Sequence, residues 1–451
     1  MKFFKNAEGA DGNERALPRS VDQIPYGADS AHELPMAEHT HAHSHSHSHS
    51  APLNLDPEKR KKVVRILSVI IVPLAILTVI AMIILWPSAK ESRVGTHPLN
   101  APGTSKVVGE ISVIGASDVN GQTPVKMKVD GVEVPISVPF EIVKNGLRVG
   151  DEVEALFTPQ SIDTGIAYIF VDFHRSTPLL LIAVVYVLVV ALVARGKGLA
   201  ALVGLAASLA VVVLFLLPAL MAGKPAFLVV AVGSAAMMFA SIYFAHGISI
   251  RTTTAVLGTF AGLMITAFAA VLSIGTTKLT GTYSDAAISL TGYLPDVSMQ
   301  QILLAGMVLA GLGALNDVTI TQVSTVWELH AANPTASRQQ LVRQGMIVGR
   351  DHIASTVYTL AFAYVGTALP LLMAAALIDR GFLDFFVIGE VAEEIIRTLV
   401  ASIGLVLAIP MTTAIAAVLA PVSPSKEKHS SVTAKATGKS KGKHVSTKEG
   451  S

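Results

Sequence analysis

The sequence predicts an α-helical membrane bundle of about eight transmembrane helices, with a small extracytoplasmic β-barrel domain inserted between the first two. Of its 451 residues, 51% are hydrophobic and only 15% are charged, and the mean hydropathy is +0.57. Apolar residues occur in runs of about 20, the length that crosses a bilayer. One segment instead alternates apolar and polar residues, as half-buried strands do. The chain has no cysteine, which excludes disulfides, thiolate metal sites and cysteine nucleophiles.

The polar N-terminal segment, residues 1–58, predicts a disordered cytoplasmic tail. It contains seven of the fourteen histidines. Alternating His-Ser places many imidazoles on a flexible chain, which can wrap a divalent cation such as zinc or nickel weakly. The alternative, which we favour because composition alone is a weak signal for a metal site, is a solvated low-complexity tail that binds metal only in vitro. The candidate ligands are His41, His43, His45, His47 and His49.

The first apolar run, 63–86, predicts a membrane anchor over residues 59–90. Because this run begins behind a long polar tail, it is typical of a signal anchor that stays in the protein. Five positive residues flank its start: Lys59, Arg60, Lys61, Lys62 and Arg65. The tail at 422–451, predicted to be disordered, carries seven lysines. Since positive charge favours the cytoplasmic side, both termini are predicted to be cytoplasmic.

Residues 97–175 predict a β-domain outside the cytoplasm. Apolar and polar residues alternate on both sides of Asp130-Gly131, which is the preferred chemistry of a two-residue hairpin turn. Further strands are expected at 107–114, 149–157 and 167–173. About five strands in so short a segment fit an OB-like barrel. No platform of aromatic residues is visible, so we expect no nucleic acid and favour packing or docking of an extracytoplasmic protein partner.

Seven more apolar runs predict a seven-helix membrane bundle over residues 176–421. They lie at 178–195, 199–221, 225–246, 252–275, 300–328, 352–376 and 397–420. Together with the anchor they give eight spans, and an even number places both termini on the same side of the bilayer.

The run at 300–328 carries a polar stripe that lipid should not cover. At about 100° per residue, four polar residues fall within about 60° of one another. The stripe holds Asp317, Thr321, Ser324 and Glu328, with Gly306 and Gly313 earlier on the same side and Asn316 beside Asp317. A carboxylate near the bilayer centre costs roughly 2.5–3.5 kcal/mol on insertion scales and usually marks a functional site. The stripe predicts an ion or substrate pathway, and the glycines predict close helix packing. The alternative is an Asp317 paired structurally inside the bundle.

Two further charged groups border the later runs. Arg350 and Asp351 open the run at 352–376, where Asp351 either stabilises a helix N-terminus or joins the pathway. Arg350 is the expected ion partner of Glu328 or Asp317. Glu390, Glu393, Glu394 and Arg397 lead into the last run and favour a solvated face, with Glu393 and Arg397 at helical pairing distance.

Catalytic motifs are absent from the sequence. It contains no His-Glu-x-x-His, no Gly-x-Ser-x-Gly and no Walker-type phosphate loop. An enzymatic function is therefore not predicted.

Several sequence blocks resemble one family. They are Gly313-Ala-Leu-Asn-Asp317-Val-Thr-Ile-Thr-Gln-Val-Ser324-Thr-Val-Trp-Glu328, Val348-Gly-Arg-Asp351-His, Tyr364-Val-Gly-Thr-Ala-Leu-Pro370, Ala392-Glu-Glu-Ile-Ile-Arg397, Ile409-Pro410, Asp172-Phe-His-Arg175, Gly196-Lys-Gly198 and His246-Gly247. Their order and spacing over about residues 165–420 resemble the YibE/F-like family of bacterial membrane proteins. The resemblance implies a multi-pass protein of the bacterial cell (plasma) membrane, and it implies no substrate.

Two functions compete on this evidence. The first is a secondary transporter or permease-like protein in the lipid bilayer that uses intramembrane carboxylates, with a divalent cation as the sharpest guess at a substrate because of the histidine tail. The second is a non-transporting membrane scaffold or envelope-assembly factor whose β-domain docks a partner. No cofactor is predicted beyond a divalent cation at the histidine tail.

Overall fold

A computed structural model describes residues 57–98, 102–116, 123–163, 165, 167–379 and 381–421. The N-terminal tail with its candidate histidine ligands and the C-terminal tail lie outside the described residues. The described chain is mostly helical, with one small β-domain between the first two long helices.

Within the described part of the chain, seven helical segments are long and apolar enough to cross a membrane. They are Pro57–Leu85 (α1), Ser176–Met221 (α3 and α4), Ala226–His246 (α5), Ile250–Thr277 (α6), Met299–Ala332 (α8 and α9), Arg338–Ala376 (α10) and Gly389–Leu419 (α12). Shorter helices cover Phe140–Lys144 (α2), Asp285–Tyr293 (α7) and Phe382–Phe386 (α11). These lengths and compositions are compatible with a membrane protein.

The 46-residue segment Ser176–Met221 is broken near its middle. Arg195 has the non-helical backbone angles φ 51° and ψ −138°. A Cβ on Gly198 would lie 2.7 Å from the carbonyl oxygen of Val190, although eight residues of straight helix span about 12 Å. The chain therefore turns sharply here and separates the two apolar runs expected at 178–195 and 199–221. Only glycine fits the close approach at position 198.

The second half of this segment contains a further irregularity. After α3 (Ser176–Val211) comes a π-helical turn at Val212–Leu216, and α4 (Leu217–Met221) follows with Pro218 near its start. Because proline has no backbone N–H, it cannot continue the regular hydrogen-bond ladder into this turn.

The β-domain is a closed five-stranded barrel. Its strands are Ser105–Ile114 (β1), Val125–Val129 (β2), Val132–Ser137 (β3), Glu152–Phe157 (β4) and Tyr168–Phe173 (β5), in the order β1-β2-β3-β5-β4. β1 pairs antiparallel with β4 and closes the barrel, while β3 and β5 run parallel. Both turn residues between β2 and β3 have positive φ, 47° at Asp130 and 86° at Gly131, as a type I′ turn requires. β4 starts three residues later than expected, because Gly150 adopts φ 97° in a turn.

The helices pack around a seam between α6 and α12. A Cβ on Gly262 would lie 2.8 Å from the Cβ of Ala408, and one on Gly404 would lie 2.9 Å from the Cβ of Thr266. Gly258 faces Thr412 in the same way, one turn further along. Absent side chains at four-residue steps let the two antiparallel backbones approach closely, as in membrane helix pairs.

Candidate functional site

Asp317 lies about halfway along the segment Met299–Ala332 and is exposed. The next residue, Val318, packs with Leu405 and Ile409 of α12 in a buried cluster. Gln322, which contacts α10 and α12, lies about 140° around the helix from Asp317. The Asp317 carboxylate has no ion pair or hydrogen bond with any described residue. Its side of α9 is thus the open side of the bundle, and the described residues do not form the alternative structural pair with Asp317.

The two stripe glycines lie open in the same way. Nothing approaches within 4 Å of the position that a Cβ would take on Gly306 or Gly313, among the residues the structure describes. Gly311, at the junction of α8 (Met299–Ala310) and α9 (Leu312–Ala332), instead lies 3.5 Å from the Cβ of Ala401 by the same construction. Packing of Gly306 and Gly313 against another helix therefore stays a prediction that this single chain does not fulfil.

The stripe hydroxyls are satisfied by their own helix. Thr321 Oγ1 donates to the backbone carbonyl of Asp317 at 2.8 Å, and Ser324 Oγ donates to that of Ile320 at 2.8 Å. Thr321 is half-buried and Ser324 is buried. Because both hydroxyls donate to backbone carbonyls, neither donates to the Asp317 carboxylate, whose oxygens stay available.

Asn316 ties α9 to α5. Its Nδ2 donates to Ser241 Oγ at 2.7 Å, while its buried Oδ1 has no hydrogen-bond partner in the described part of the chain. The residue therefore faces a neighbouring helix, about 100° from Asp317, and supports the position of α9.

Glu328 pairs with Arg251, not with Arg350. Arg251 Nη1 lies 2.8 Å from Glu328 Oε1, and the Arg251 side chain is 8% exposed against 58% for Glu328. The apolar run expected at 252–275 leaves Arg251 outside it, but a capping box at Ser249 and Thr252 starts α6 at Ile250, so Arg251 lies in the helix. The start of α6 thus meets the end of α9, which places the arginine beside the carboxylate. The expected Arg350–Glu328 pair is wrong.

Arg350 and Asp351 lie inside a helix and not at its start. α10 begins at Arg338, where Ser337 and Gln340 form the capping box. Asp351 therefore cannot stabilise a helix N-terminus, and that interpretation is wrong. Both side chains are exposed, and neither forms an ion pair or a hydrogen bond with the described residues.

Gln322 is a buried polar contact that sequence reasoning missed. It is fully buried on α9, and its Nε2 donates to the Gly345 carbonyl at 2.9 Å and to Thr413 Oγ1 at 2.7 Å. It joins three helices at one point. The available signal was a glutamine inside a long apolar run, but Gln322 does not lie on the stripe of Asp317.

Glu393 was also misjudged as solvated. Its side chain is buried at the start of α12, and its Oε1 has no hydrogen-bond partner among the described atoms. Arg397 pairs with Glu394, three residues away, and not with Glu393. Tyr283 packs against Gly389 and brings the segment before α7 over this end of α12. This segment covers Glu393, and the charge pattern of the sequence alone could not predict that contact.

Salt bridges join the segment after α1 to two distant loops. Lys224 Nζ lies 2.9 Å from Glu91 Oε1, and Arg93 Nη2 lies 3.2 Å from Asp296 Oδ2. The hydrogen bonds from Lys224 and from Ser88 lower the pKa of Glu91 to about 2. In the barrel, Lys106 at 2.6 Å and His174 at 3.2 Å lower the pKa of Glu154. The first two pairs join the segment after α1 to the loops before α8 and α5, and the third links strands within the barrel.

Metal-ligating side chains do not cluster within the described residues, since no group of three or more histidines and carboxylates lies close enough to hold an ion. A family model described as YibE/F-like protein matches residues 182–422. No curated protein and no solved structure matches the chain. The match covers α9 and α10 and leaves the barrel outside.

Proposed function

The chain belongs to the YibE/F-like family, as its motifs predicted, and from that premise we propose that it is a secondary transporter or permease-like protein of the bacterial cell membrane that moves a cation through a path with Asp317 at its centre. The observation that carries the proposal is the open Asp317 carboxylate halfway along a long apolar segment. A charge at that depth is costly and is usually retained for a function.

We propose eight spans with both termini in the cytoplasm and an OB-like barrel outside. The break at Arg195 supports counting Ser176–Met221 as two spans, since 46 residues of continuous helix would extend about 69 Å, far more than a bilayer core. Because the chain has no cysteine, single cysteines can report the topology. Of Ser44→Cys, Asp130→Cys and Lys441→Cys, only Asp130→Cys should react with an impermeant thiol reagent on intact cells. Labelling of either tail would contradict this topology.

The arrangement around Asp317 supports reversible binding of a cation. The carboxylate has no fixed cationic partner among the described residues, so a proton or metal ion does not have to displace one of them. Gly311 interrupts α8 and α9 less than two turns before it, and helix interruptions near the midplane are frequent at transporter binding sites. Glu328 and its partner Arg251 lie eleven residues away, about 16 Å along the helix, and would form a second station at the cytoplasmic end.

Transport by proteoliposomes tests this role. Purified protein is reconstituted with an internal indicator, and uptake of protons, monovalent cations and divalent cations is compared between wild type and Asp317→Asn. The amide is nearly isosteric but neither carries a proton nor holds a cation strongly, so transport should be lost while the melting temperature is kept. Asp130→Asn is the matched control, because asparagine tolerates the positive φ of that turn. Unchanged uptake by a well-folded Asp317→Asn would refute the role.

The alternative function is a membrane scaffold, and one observation favours it. Val108 on β1 is 46% exposed, and Ile169 and Val171 on β5 are 44% and 45% exposed; β4 pairs with both of these strands. Exposed apolar residues grouped on one face suit docking of an extracytoplasmic protein. If no cation is transported, and Val108→Asp with Ile169→Asp abolishes cellular function in a folded protein, the scaffold is the better account.

A further inference from the structure

We propose that Glu393 is a proton-binding site at the extracytoplasmic end of the bundle, separate from Asp317, and that its proton makes cation transport depend on the pH outside. Its place at the outer end rests on the proposed topology, and its role in transport rests on the proposed function. Proton binding itself depends on neither.

The first step is the burial of the carboxyl group. Glu393 is 7% exposed and lies about one turn after the start of α12. The loop between α6 and α7 covers it, since Tyr283 of this loop packs against Gly389, one turn before Glu393. Gln300 Nε2 donates to the Leu279 carbonyl at 2.9 Å and holds the start of the loop against α8. An ionised carboxylate in such a place loses its hydration and needs hydrogen bonds or a cation in return.

The second step is the hydrogen bonding of the two carboxyl oxygens. The Gly281 backbone N–H hydrogen-bonds the Glu393 carboxyl, whereas Oε1 is buried without a partner among the described atoms. A Cβ on Gly281 would overlap the backbone carbonyl of Met299, so this approach of the N–H requires glycine. One donor satisfies the carbonyl oxygen of a carboxylic acid but not both oxygens of a carboxylate. The neutral acid therefore fits this site better than the anion, with the proton on Oε1.

The third step is the charge of the neighbouring groups. Arg397 donates to Glu394, so this cation already has an ion partner. Glu390 lies in the first turn of α12, where the helix dipole favours a negative charge. All three groups act electrostatically on Glu393, and Tyr364 of α10 acts on the Arg397–Glu394 pair. Two ionised glutamates and one arginine oppose a third negative charge, and a proton on Glu393 removes that charge.

A proton fits this site better than a metal ion. Metal ions take several oxygen or nitrogen ligands, and the described residues contain no group of three or more metal-ligating side chains. The Leu279 carbonyl is used by Gln300, and the Gly281 N–H places the positive end of a dipole beside the carboxyl. A proton needs one oxygen and no shell of ligands. Its source is the water at the outer end of α12, about one turn away.

Glu393 and Asp317 are two distinct sites. A Cβ on Gly311 would lie 3.5 Å from the Cβ of Ala401, so these two positions are level. α9 and α12 run in the same direction, because they also meet further along both helices. Glu393 precedes Ala401 by eight residues, and Asp317 follows Gly311 by six, which separates the two carboxyls by about 21 Å along the bundle. A proton cannot pass directly over that distance.

Infrared spectroscopy of the full-length protein in lipid tests proton binding. A protonated carboxyl has a carbonyl stretch that an ionised carboxylate lacks. At neutral pH, the difference between wild type and Glu393→Gln should contain this band, and the band should be lost as the pH is raised. Glu141→Gln, at an exposed carboxyl of the barrel, is the matched control and should give no such band. If Glu393→Gln does not fold, Glu393→Asp supplies the test, because the band should then shift. Absence of the band at neutral pH, or a band that persists at every pH, would overturn the proposal.

Uptake by proteoliposomes tests the role in transport separately. For a cation that wild type takes up, an acidic outside should change the rate several-fold in wild type and in Glu141→Gln, but not in Glu393→Gln. An equal response of Glu393→Gln rejects the role in transport, even where the infrared band is present. A protein that shows the band but moves no cation would support proton binding and count only against the transporter.

Discussion

Filling the α6–α12 seam should separate the two helices. Gly404 faces Thr266, and a Cβ at position 404 would lie 2.9 Å from the Cβ and 3.3 Å from the Cα of Thr266. Favourable contacts between carbon atoms lie at about 3.5–4.0 Å. Because one of the opposing atoms belongs to the backbone, a rotamer change at Thr266 cannot relieve the overlap. Gly404→Val must therefore push the helices apart along a buried seam.

The expected cost follows from overpacking in tightly packed interiors, about 1–3 kcal/mol. An unfolding entropy of about 2.1 cal/mol/K per residue converts this to about 1 °C per kcal/mol for 451 residues, so the apparent melting temperature should fall by about 1–3 °C. Gly366→Val is the matched control for Gly404→Val. Gly366 lies in the interior of α10, and no described atom lies within 4 Å of the position that a Cβ would take there. Thermal unfolding in detergent, followed by loss of monodisperse protein, measures both.

A partner substitution sharpens this test. Thr266→Ala in the Gly404→Val background removes two atoms from the crowded site and should recover part of the loss. Equal melting temperatures for Gly404→Val and Gly366→Val would show that the seam is not closely packed, and the argument from the missing Cβ atoms would be wrong.

Two further predictions concern polar contacts. Gln322→Leu leaves the Gly345 carbonyl and the Thr413 hydroxyl without their donor, so we expect a loss of about 1–3 kcal/mol, seen as a lower melting temperature than for wild type; an unchanged value would contradict the three-helix contact. The Lys224 hydrogen bond is the main reason that the pKa of Glu91 is lowered from 4.5 to about 2. The ionised Glu91 therefore contributes its full stabilisation above pH 4.5, and this contribution is lost as the pH falls towards 2. Proteolysis of the segment after α1 should accelerate with Glu91→Gln at neutral pH and should accelerate in wild type only in strong acid.

Hydropathy predicted the long helices well but not where their polar ends begin. The run expected from residue 352 belongs to a helix that starts at Arg338. The first fourteen residues of this helix are mostly polar, so hydropathy did not include them in the predicted run. The break at Arg195 was visible, since charged and glycine residues separate two apolar runs there. The hairpin at Asp130-Gly131 was equally local. Each of these features is decided by residues close together in the chain.

The partners of the charged residues could not be predicted in the same way. Glu328 meets Arg251 across 77 positions, and the burial of Glu393 depends on the segment before α7. Helical periodicity gave the face of Asp317 correctly, yet it could not tell whether that face points into the bundle or away from it. That choice depends on which other helices surround α9, and the residues of α9 do not encode it.

The α6–α12 seam also bears on the order in which the chain assembles during synthesis. Its contacts join residues about 140 positions apart, such as Thr266 and Gly404. Until α12 has left the ribosome, Gly258 and Thr266 of α6 lack the partners that they have in this seam, and that side of α6 must be shielded by lipid, by the insertion machinery or by earlier helices. Chains that end before Gly389 would keep all the other long helices but lack this seam. Quality control that recognises unpaired polar faces in the bilayer would therefore have a direct means of sensing whether synthesis was finished.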